Sequence, residues 1–477
     1  MEKDARNPRL VVGIAVALLT AGLLVYSQTV AFTWDEGFHL LAAQLILAGK
    51  RPYLDFCFPQ TPLNAYWNAL WMLMVGQSWR VAHALAALFT AGAVWLAADY
   101  VLRRLSVAGW RLPCALSVVV LAGLNAMLIQ YGPIGQAYGI SLFLATAGYR
   151  LAVITVGRRV GWLAFLAGLA AGASAACSLL SAAAPVVLIV WIAVKSRTWK
   201  RVGAFLGGAV IPFIPVFRLF VEGPKQTIYN VFVFQALYRR VKFEGLNAHD
   251  LDILSSWLDS SQALLLGALA IVGLIFVRRS GWDARLRSEL YLSGWLALGV
   301  GLELSVAHPT FSRYYILVVP FLAILAAVGL YAVGSTLRMR PMSQVAVVGL
   351  FMALGLGRSF LDRGSVYTWG DMERLAAQVD QVTPRGATLW APENVYFLTR
   401  RTPPSGMEFA YSHDLEMPPA EAALLHILPQ SVLDREVAAR VFSTVAVCDE
   451  DTVDDERLPK LYRHHVDLHG CDVFWGR

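Results

Sequence analysis

Charge is what this sequence has least of. Only 15% of its 477 residues are Asp, Glu, Lys or Arg, against 57% hydrophobic, and so little charge cannot clothe a water-facing surface. A soluble globular class is therefore excluded. Cysteine is scarce as well: five residues, widely spaced and without a C-x-x-C pair, which removes zinc ribbons and dithiol redox motifs from consideration. Internal repeats and low-complexity tracts are missing. The formal charge is +7, yet the Lys and Arg residues form small clusters between apolar runs, with no continuous stripe that could track a nucleic-acid backbone. Nucleic acid is not an expected partner. No A-x-A-like cleavage site follows the first apolar run, Leu10 to Phe32, so that run is expected to stay as a helix.

What remains is hydrocarbon-loving sequence, with a mean hydropathy of +0.54. Apolar runs of about 20 residues, each able to cross roughly 30 Å of hydrocarbon, are expected at 10–32, 79–101, 112–130, 137–157, 161–178, 181–195, 202–221, 261–277, 289–307, 314–334 and 343–360. That makes about eleven transmembrane helices. Lys3, Arg6 and Arg9, then Arg103, Arg104 and Arg111, Arg158 and Arg159, Lys195 to Arg201, Arg278 to Arg287, and Arg338 with Arg340 all fall on one side. The excess of positive charge marks that side as cytoplasmic. With an odd number of helices, the C-terminus lies outside.

Three sizeable pieces face outward: 33–78, 222–260, and everything after Phe360. Within the first, Tyr66 to Val75 is apolar but short, as suits a helix lying in the interface. Residues 361–477 alternate helix-like stretches, such as Asp371 to Val382, with strand-like ones, Ala387 to Ala391 and Ser443 to Cys448. The expected architecture is an α-helical polytopic membrane domain over 1–360 and a small α/β extracytoplasmic domain over 361–477. In an oxidising compartment Cys448 and Cys471 could pair; their spacing leaves this open. Small residues at Gly168 to Ala176 and Ala182 to Ala184 should let helices pack closely.

Chemistry concentrates directly after the first span, in Thr33-Trp34-Asp35-Glu36-Gly37-Phe38-His39. Acids at a membrane boundary are costly unless wet or paired, which makes Asp35 and Glu36 functional candidates. Capping of a helix from Glu36 to Ala48 explains Asp35 equally well. His39 shares a helix face with both acids; a metal could be held there, although such pairs also arise by chance. Further on come Gly49-Lys50-Arg51-Pro52-Tyr53-Leu54-Asp55-Phe56, then Gln60-Thr61-Pro62-Leu63 and Tyr66. Asp55 could bind a substrate hydroxyl or simply shape a turn, and Tyr53 is a further substrate-binding candidate. Trp34, Phe58, Trp67 and Trp71 add aromatic surface that suits anchoring at an interface.

On these residues the chain resembles the GT-C glycosyltransferases, in particular bacterial membrane relatives of protein O-mannosyltransferases and of lipid A aminoarabinose transferases. There an Asp-Glu pair opens the first external loop, followed by A-x-x-I-x-x-G, P-Y-x-D-F and P-L-x-x-Y. Here the matching positions are Ala43, Ile46 and Gly49, then Pro52 to Phe56, then Pro62, Leu63 and Tyr66. The likeness extends to His308-Pro309, to Arg313-Tyr314-Tyr315, and to Pro392, Tyr396 and Arg400-Arg401. One departure is Gln60-Thr61-Pro62, where the aminoarabinose transferases have a lysine before Pro-Pro-Leu; Gln60 is kept as a polar candidate only.

The resemblance implies inverting transfer of a sugar from a polyprenyl-phosphate carrier to an acceptor hydroxyl at the outer face of the cell (inner) membrane. The acceptor could be a glycolipid, a polysaccharide or a protein. Asp35 would be the base and Glu36 its support. A phosphate is already a good leaving group, so one base suffices, whereas glycosidases need two carboxyls. The phosphate charge must be met by fixed cations, for which Lys50, Arg51, Arg239, Arg240, Lys242 and Arg313 with Tyr314 are the outer candidates. No cofactor is implied with certainty, and a divalent metal could share that work. The rival is a transporter or flippase of a lipid-linked or anionic substrate, with Glu303 as its intramembrane acid; a GT-C-like scaffold without catalysis is a third.

Overall fold

The computed structural model describes residues 7–31, 35–158, 160–236, 246–307, 310–363, 367–448 and 457–476. The chain divides into two compact units, one formed by Met1–Ser27, Arg80–Ile214 and Gly245–Gly364, the other by Gln28–Trp79, Pro215–Glu244 and Ser365–Arg477.

The first unit is helical, and every expected span is occupied by helix. Among the described residues eight helices are long and apolar enough to cross a membrane: Pro8–Ser27, Trp79–Arg104, Tyr138–Arg158, Leu179–Ser196, Trp199–Glu222, Ser261–Arg279, Ser312–Thr336 and Pro341–Leu361. The remaining three expected spans differ for identifiable reasons. Gly161–Cys177 has 17 residues. Ala284–Val306 has 23 residues but carries Arg285, Arg287, Glu289 and Glu303. The segment expected at 112–130 is a broken helix, Arg111–Gly123 followed by Ala126–Tyr131. At the break Gln262 donates to the Leu124 carbonyl (2.9 Å) and accepts from the Ala126 N–H (2.8 Å), so the freed backbone groups are satisfied by a neighbouring helix.

Helix pairing uses the small residues. A methyl added at Gly168 or Gly208 would stand 1.9 or 2.0 Å from a backbone carbonyl of the facing helix, so Gly161–Cys177 and Trp199–Val210 touch backbone to backbone. Two of the basic clusters expected on one side meet at Glu289. Arg104 and Arg285 hold the buried Glu289 at 2.7 and 3.0 Å, and Arg103 and Arg150 hold Asp99 at 2.7 and 2.8 Å. Each buried carboxylate is thereby neutralised by two arginines.

The second unit combines residues 28–79 and 215–244 with the C-terminal residues. Helices Glu36–Leu47 and Leu63–Val75 pack together. The latter has 13 residues, about 20 Å of helix, too short to span, and it exposes Leu70, Leu73, Met74 and Val75. That fits the interfacial helix expected there. A four-stranded sheet contains β1 (Leu389–Trp390), β2 (Thr444–Cys448), β3 (His464–Asp467) and β4 (Cys471–Trp475) in the order β1-β2-β4-β3, with only the β1–β2 pair parallel. β3 and β4 are joined by a turn with His469 and Gly470 both at positive φ, the twist that suits a two-residue hairpin. Cys448 and Cys471 face one another across β2 and β4 and are disulfide-bonded. Helix Trp369–Val382 lies on the sheet, begun by a capping box in which Thr368 and Asp371 bond reciprocally. Trp369 is fully buried and stacks on Trp79 at 4.7 Å. The Trp369 N–H donates to the Thr29 carbonyl and the Ala31 N–H to that of Tyr367, tying the two segments side by side.

Candidate active site

Helix Glu36–Leu47 begins at Asp35. Asp35 occupies the N-cap position (φ −122°, ψ −19°), yet its side chain makes no capping hydrogen bond. The carboxylate therefore does not cap its own helix by a hydrogen bond. Glu36 follows, fully buried in the first helical turn, where the helix dipole favours a negative charge. Gly37 sits against the Asn394 backbone, 2.9 Å from where a methyl would be, so only glycine lets helix Glu393–Thr399 approach this closely.

One turn on, His39 is 3% exposed, stacks on Phe38 at 4.5 Å and meets Phe58 edge-on at 5.8 Å. Its Nδ1 faces the Asn64 Nδ2 at 3.3 Å. Burial lowers its pKa from 6.5 to about 4, against the opposing pull of Asp35, so the ring is neutral at pH 7.

The P-Y-x-D-F segment forms a closed knot. Asp55 accepts the Arg51 backbone N–H at 2.7 Å and both ends of its guanidinium at 2.9 Å, and these bonds hold its carboxyl below the ordinary range. Arg51 also reaches Glu222 at 3.2 Å. Tyr53 lies in the left-handed region (φ 70°), held by its N–H to the Phe56 carbonyl (2.9 Å) and its hydroxyl to the Gln60 carbonyl (2.6 Å). Phe58 N–H donates to Asn230 Oδ1 at 2.8 Å. Lys50 pairs with Glu408 at 3.5 Å.

In the helical unit, Ser312–Val318 forms a 3-10 turn. The Arg313 guanidinium lies 4.1 Å over the Phe311 ring and 5.6 Å from that of Tyr314, which in turn faces Tyr138 at 6.3 Å. Helix Leu246–Asp259 supports this turn: Asp250 accepts the Thr310 N–H at 2.7 Å, Trp257 stacks on Tyr315 at 4.6 Å, and His249 meets Phe311 edge-on. His249, Asp250 and Trp257 were not expected from sequence, since nothing in their spacing pairs them with a turn some sixty residues on.

No family model and no curated protein matches the sequence. Solved structures do. The crystal structure of ArnT from Cupriavidus metallidurans superposes with a TM-score of 0.69 in the apo state and 0.67 when bound to undecaprenyl phosphate, at 15% identity and over 97% of both chains. The oligosaccharyltransferase of Archaeoglobus fulgidus superposes with a TM-score of 0.52 at 12% identity, over 93% of this chain and 70% of that one. The chain has the GT-C fold.

Within this GT-C fold, Asp35, Glu36 and His39 share one helical turn, whereas Tyr53, Asp55 and Gln60 form the separate knot whose polar groups largely serve one another. Arg313 and Tyr314 belong to the helical unit. Arg239 and Arg240, with Lys242 and His308, lie outside the described residues. Among the described residues no group of three His, Cys, Asp or Glu side chains is placed to hold a metal ion; the polar neighbour of His39 is Asn64. Glu303, the acid a transporter would need, accepts the Ala183 N–H at 2.9 Å and so starts helix Ala183–Ser196.

Proposed function

We propose that this GT-C protein is an inverting glycosyltransferase that moves a sugar from a polyprenyl phosphate to an acceptor hydroxyl at the outer face of the cell (inner) membrane, with Asp35 as base. The observation that carries it is the Asp35 carboxylate at a helix start that it does not cap, beside a buried Glu36 and a neutral His39. The ArnT neighbour bound to undecaprenyl phosphate supports the choice of carrier. Asp35 takes the acceptor proton as the hydroxyl oxygen attacks the anomeric carbon; the bond from that carbon to the phosphate oxygen breaks, and polyprenyl phosphate leaves with the electron pair. Arg313, lying among aromatic rings, is the cation best suited to meet that charge. Glu36 supports the Asp35 turn. The acceptor is a glycolipid, a polysaccharide or a protein.

The test is release of undecaprenyl phosphate by purified protein from synthetic undecaprenyl-phosphate pentoses and hexoses. Asp35→Asn should lower turnover by at least about 10³-fold, the scale of losing a base, with unchanged elution and thermal unfolding. Full turnover in a folded Asp35→Asn protein would refute the assignment. Transport without release would favour the rival, against which the helix-starting role of Glu303 already weighs.

A further inference from the structure

Four helix ends of the first unit meet around a cluster of rings that the proposed transfer does not use. Phe276, in the last turn of helix Ser261–Arg279, and Trp282 just beyond it face Tyr331 of helix Ser312–Thr336 at 5.5 and 6.0 Å. Trp110, which precedes helix Arg111–Gly123, meets Tyr331 edge-on at 5.3 Å. All four rings are half-buried, as suits aromatics at a membrane–water boundary. Beside them stands a polar group with nothing to bond. Gln344, near the start of helix Pro341–Leu361, is 3% exposed, and neither its Nε2 nor its Oε1 has a hydrogen-bond partner among the described residues. Its amide lies against Gly334, where a methyl would collide both with the amide and with the Trp110 ring. A buried amide left unbonded is costly, and a headgroup with both donors and acceptors would satisfy it.

The same helix ends carry charge of one sign. Arg278, Arg279, Arg338 and Arg340 are exposed, and none is ion-paired among the described residues. No Asp or Glu lies in 107–114, 276–282 or 331–344. Below these cations the helices are apolar on their outer faces: exposed Ile271 and Ile275 lead up to Arg278 and Arg279 at helical spacing, and exposed Val347 and Leu354 follow Arg340 by seven and fourteen residues. Cations above bare apolar stripes match a molecule that is anionic at one end and hydrocarbon at the other. We propose that this corner of the helical unit binds an anionic phospholipid of the leaflet on the basic side. Arg338 and Arg340, with Arg278 and Arg279, hold its phosphodiester; its headgroup satisfies the Gln344 amide once the Trp110 indole swings aside; its acyl chains lie on the two stripes. A zwitterionic lipid brings its own cation and is disfavoured there. Topology alone accounts for arginines on one side, but it does not account for the unbonded amide among them.

Two measurements on purified full-length protein test it, and neither depends on the transfer reaction. In native mass spectrometry from detergent, titrated with phosphatidylglycerol or with phosphatidylcholine of the same chains, the wild type should hold phosphatidylglycerol at least about tenfold more tightly. Arg338→Gln with Arg340→Gln should remove about tenfold of that affinity, a few-fold for each arginine, and Gln344→Leu several-fold. Arg197→Gln with Lys200→Gln, which changes two exposed basic residues on another loop, should leave it unchanged. In thermal unfolding without added lipid, Gln344→Leu should melt no earlier than the wild type, because it removes an unbonded amide, yet phosphatidylglycerol should raise its midpoint less. Equal retention of the two lipids by the wild type overturns the proposal. So does an equal loss in the Arg197, Lys200 pair, which would mean diffuse charge attraction, or glycerol 1-phosphate raising the wild-type midpoint as far as the lipid does, which would mean a free anion. Should the double arginine variant not fold, Gln344→Leu and the lipid comparison still decide.

Discussion

Asp35, Glu36 and His39 were legible in the sequence because helical spacing alone puts them on one face. Asn64 was not, because its contact with His39 depends on how two helices joined by a long knot come together. The buried His39 has a consequence for stability. Its folded pKa, about 4, lies below the ordinary 6.5, so between those values the unfolded chain binds a proton that the folded chain refuses. Stability therefore rises with pH across that window, by up to roughly 3 kcal/mol, and is flat with respect to this group above it. Thermal unfolding between pH 4.5 and 7.5 should show this slope, and His39→Gln should flatten it; an unchanged slope would mean that His39 does not set it. Asp55 behaves differently. Its partner Arg51 is half exposed, so Asp55→Asn should cost little stability, under about 1 kcal/mol. A large loss of turnover in that variant would show that the carboxylate also reaches substrate.

Elements were anticipated where periodicity or composition is strong and missed where pairing is distant. Helix Trp369–Val382 and the strand ending at Cys448 were expected, whereas β3 and β4, short and bounded by an unusual His-Gly turn, were not. The disulfide could not be read from spacing, but the β2–β4 register places its two cysteines opposite one another. Closing 23 residues of separation should contribute about 3 kcal/mol, so the Cys448→Ser, Cys471→Ser pair should unfold correspondingly earlier by near-UV circular dichroism. A second tie is Glu408, whose side chain is fully buried between Lys50 (3.5 Å) and the Gly406 N–H (2.7 Å). Burial raises its pKa, with Lys50 opposing. Phe409 beside it packs edge-on against Phe38 and Phe234, so the 406–409 segment clasps helix Glu36–Leu47. Glu408→Ala strands two donors and should cost about 2–3 kcal/mol; Glu408→Gln, which can still accept from Gly406, should cost less. Equal losses in thermal unfolding would mean the charge itself is what matters.

At the scale of the whole chain, two of the basic clusters assigned to one side meet through Arg104, Arg285 and Glu289. Composition could anticipate that much, but not that residues 28–79 and the C-terminal residues form one compact unit, because their contacts span more than three hundred residues. This unity makes sidedness testable with one label. Cys57, Cys114 and Cys177 are buried and Cys448 is bonded to Cys471, so an introduced surface cysteine should be the reactive one. Ala438 is exposed in the unit that holds Asp35, and Lys200 is exposed on the basic side. In spheroplasts a membrane-impermeant maleimide should label Ala438→Cys directly and Lys200→Cys only after permeabilisation. The reverse pattern would put the Asp35 carboxylate in the cytosol, where an acceptor on the outer face could never reach it.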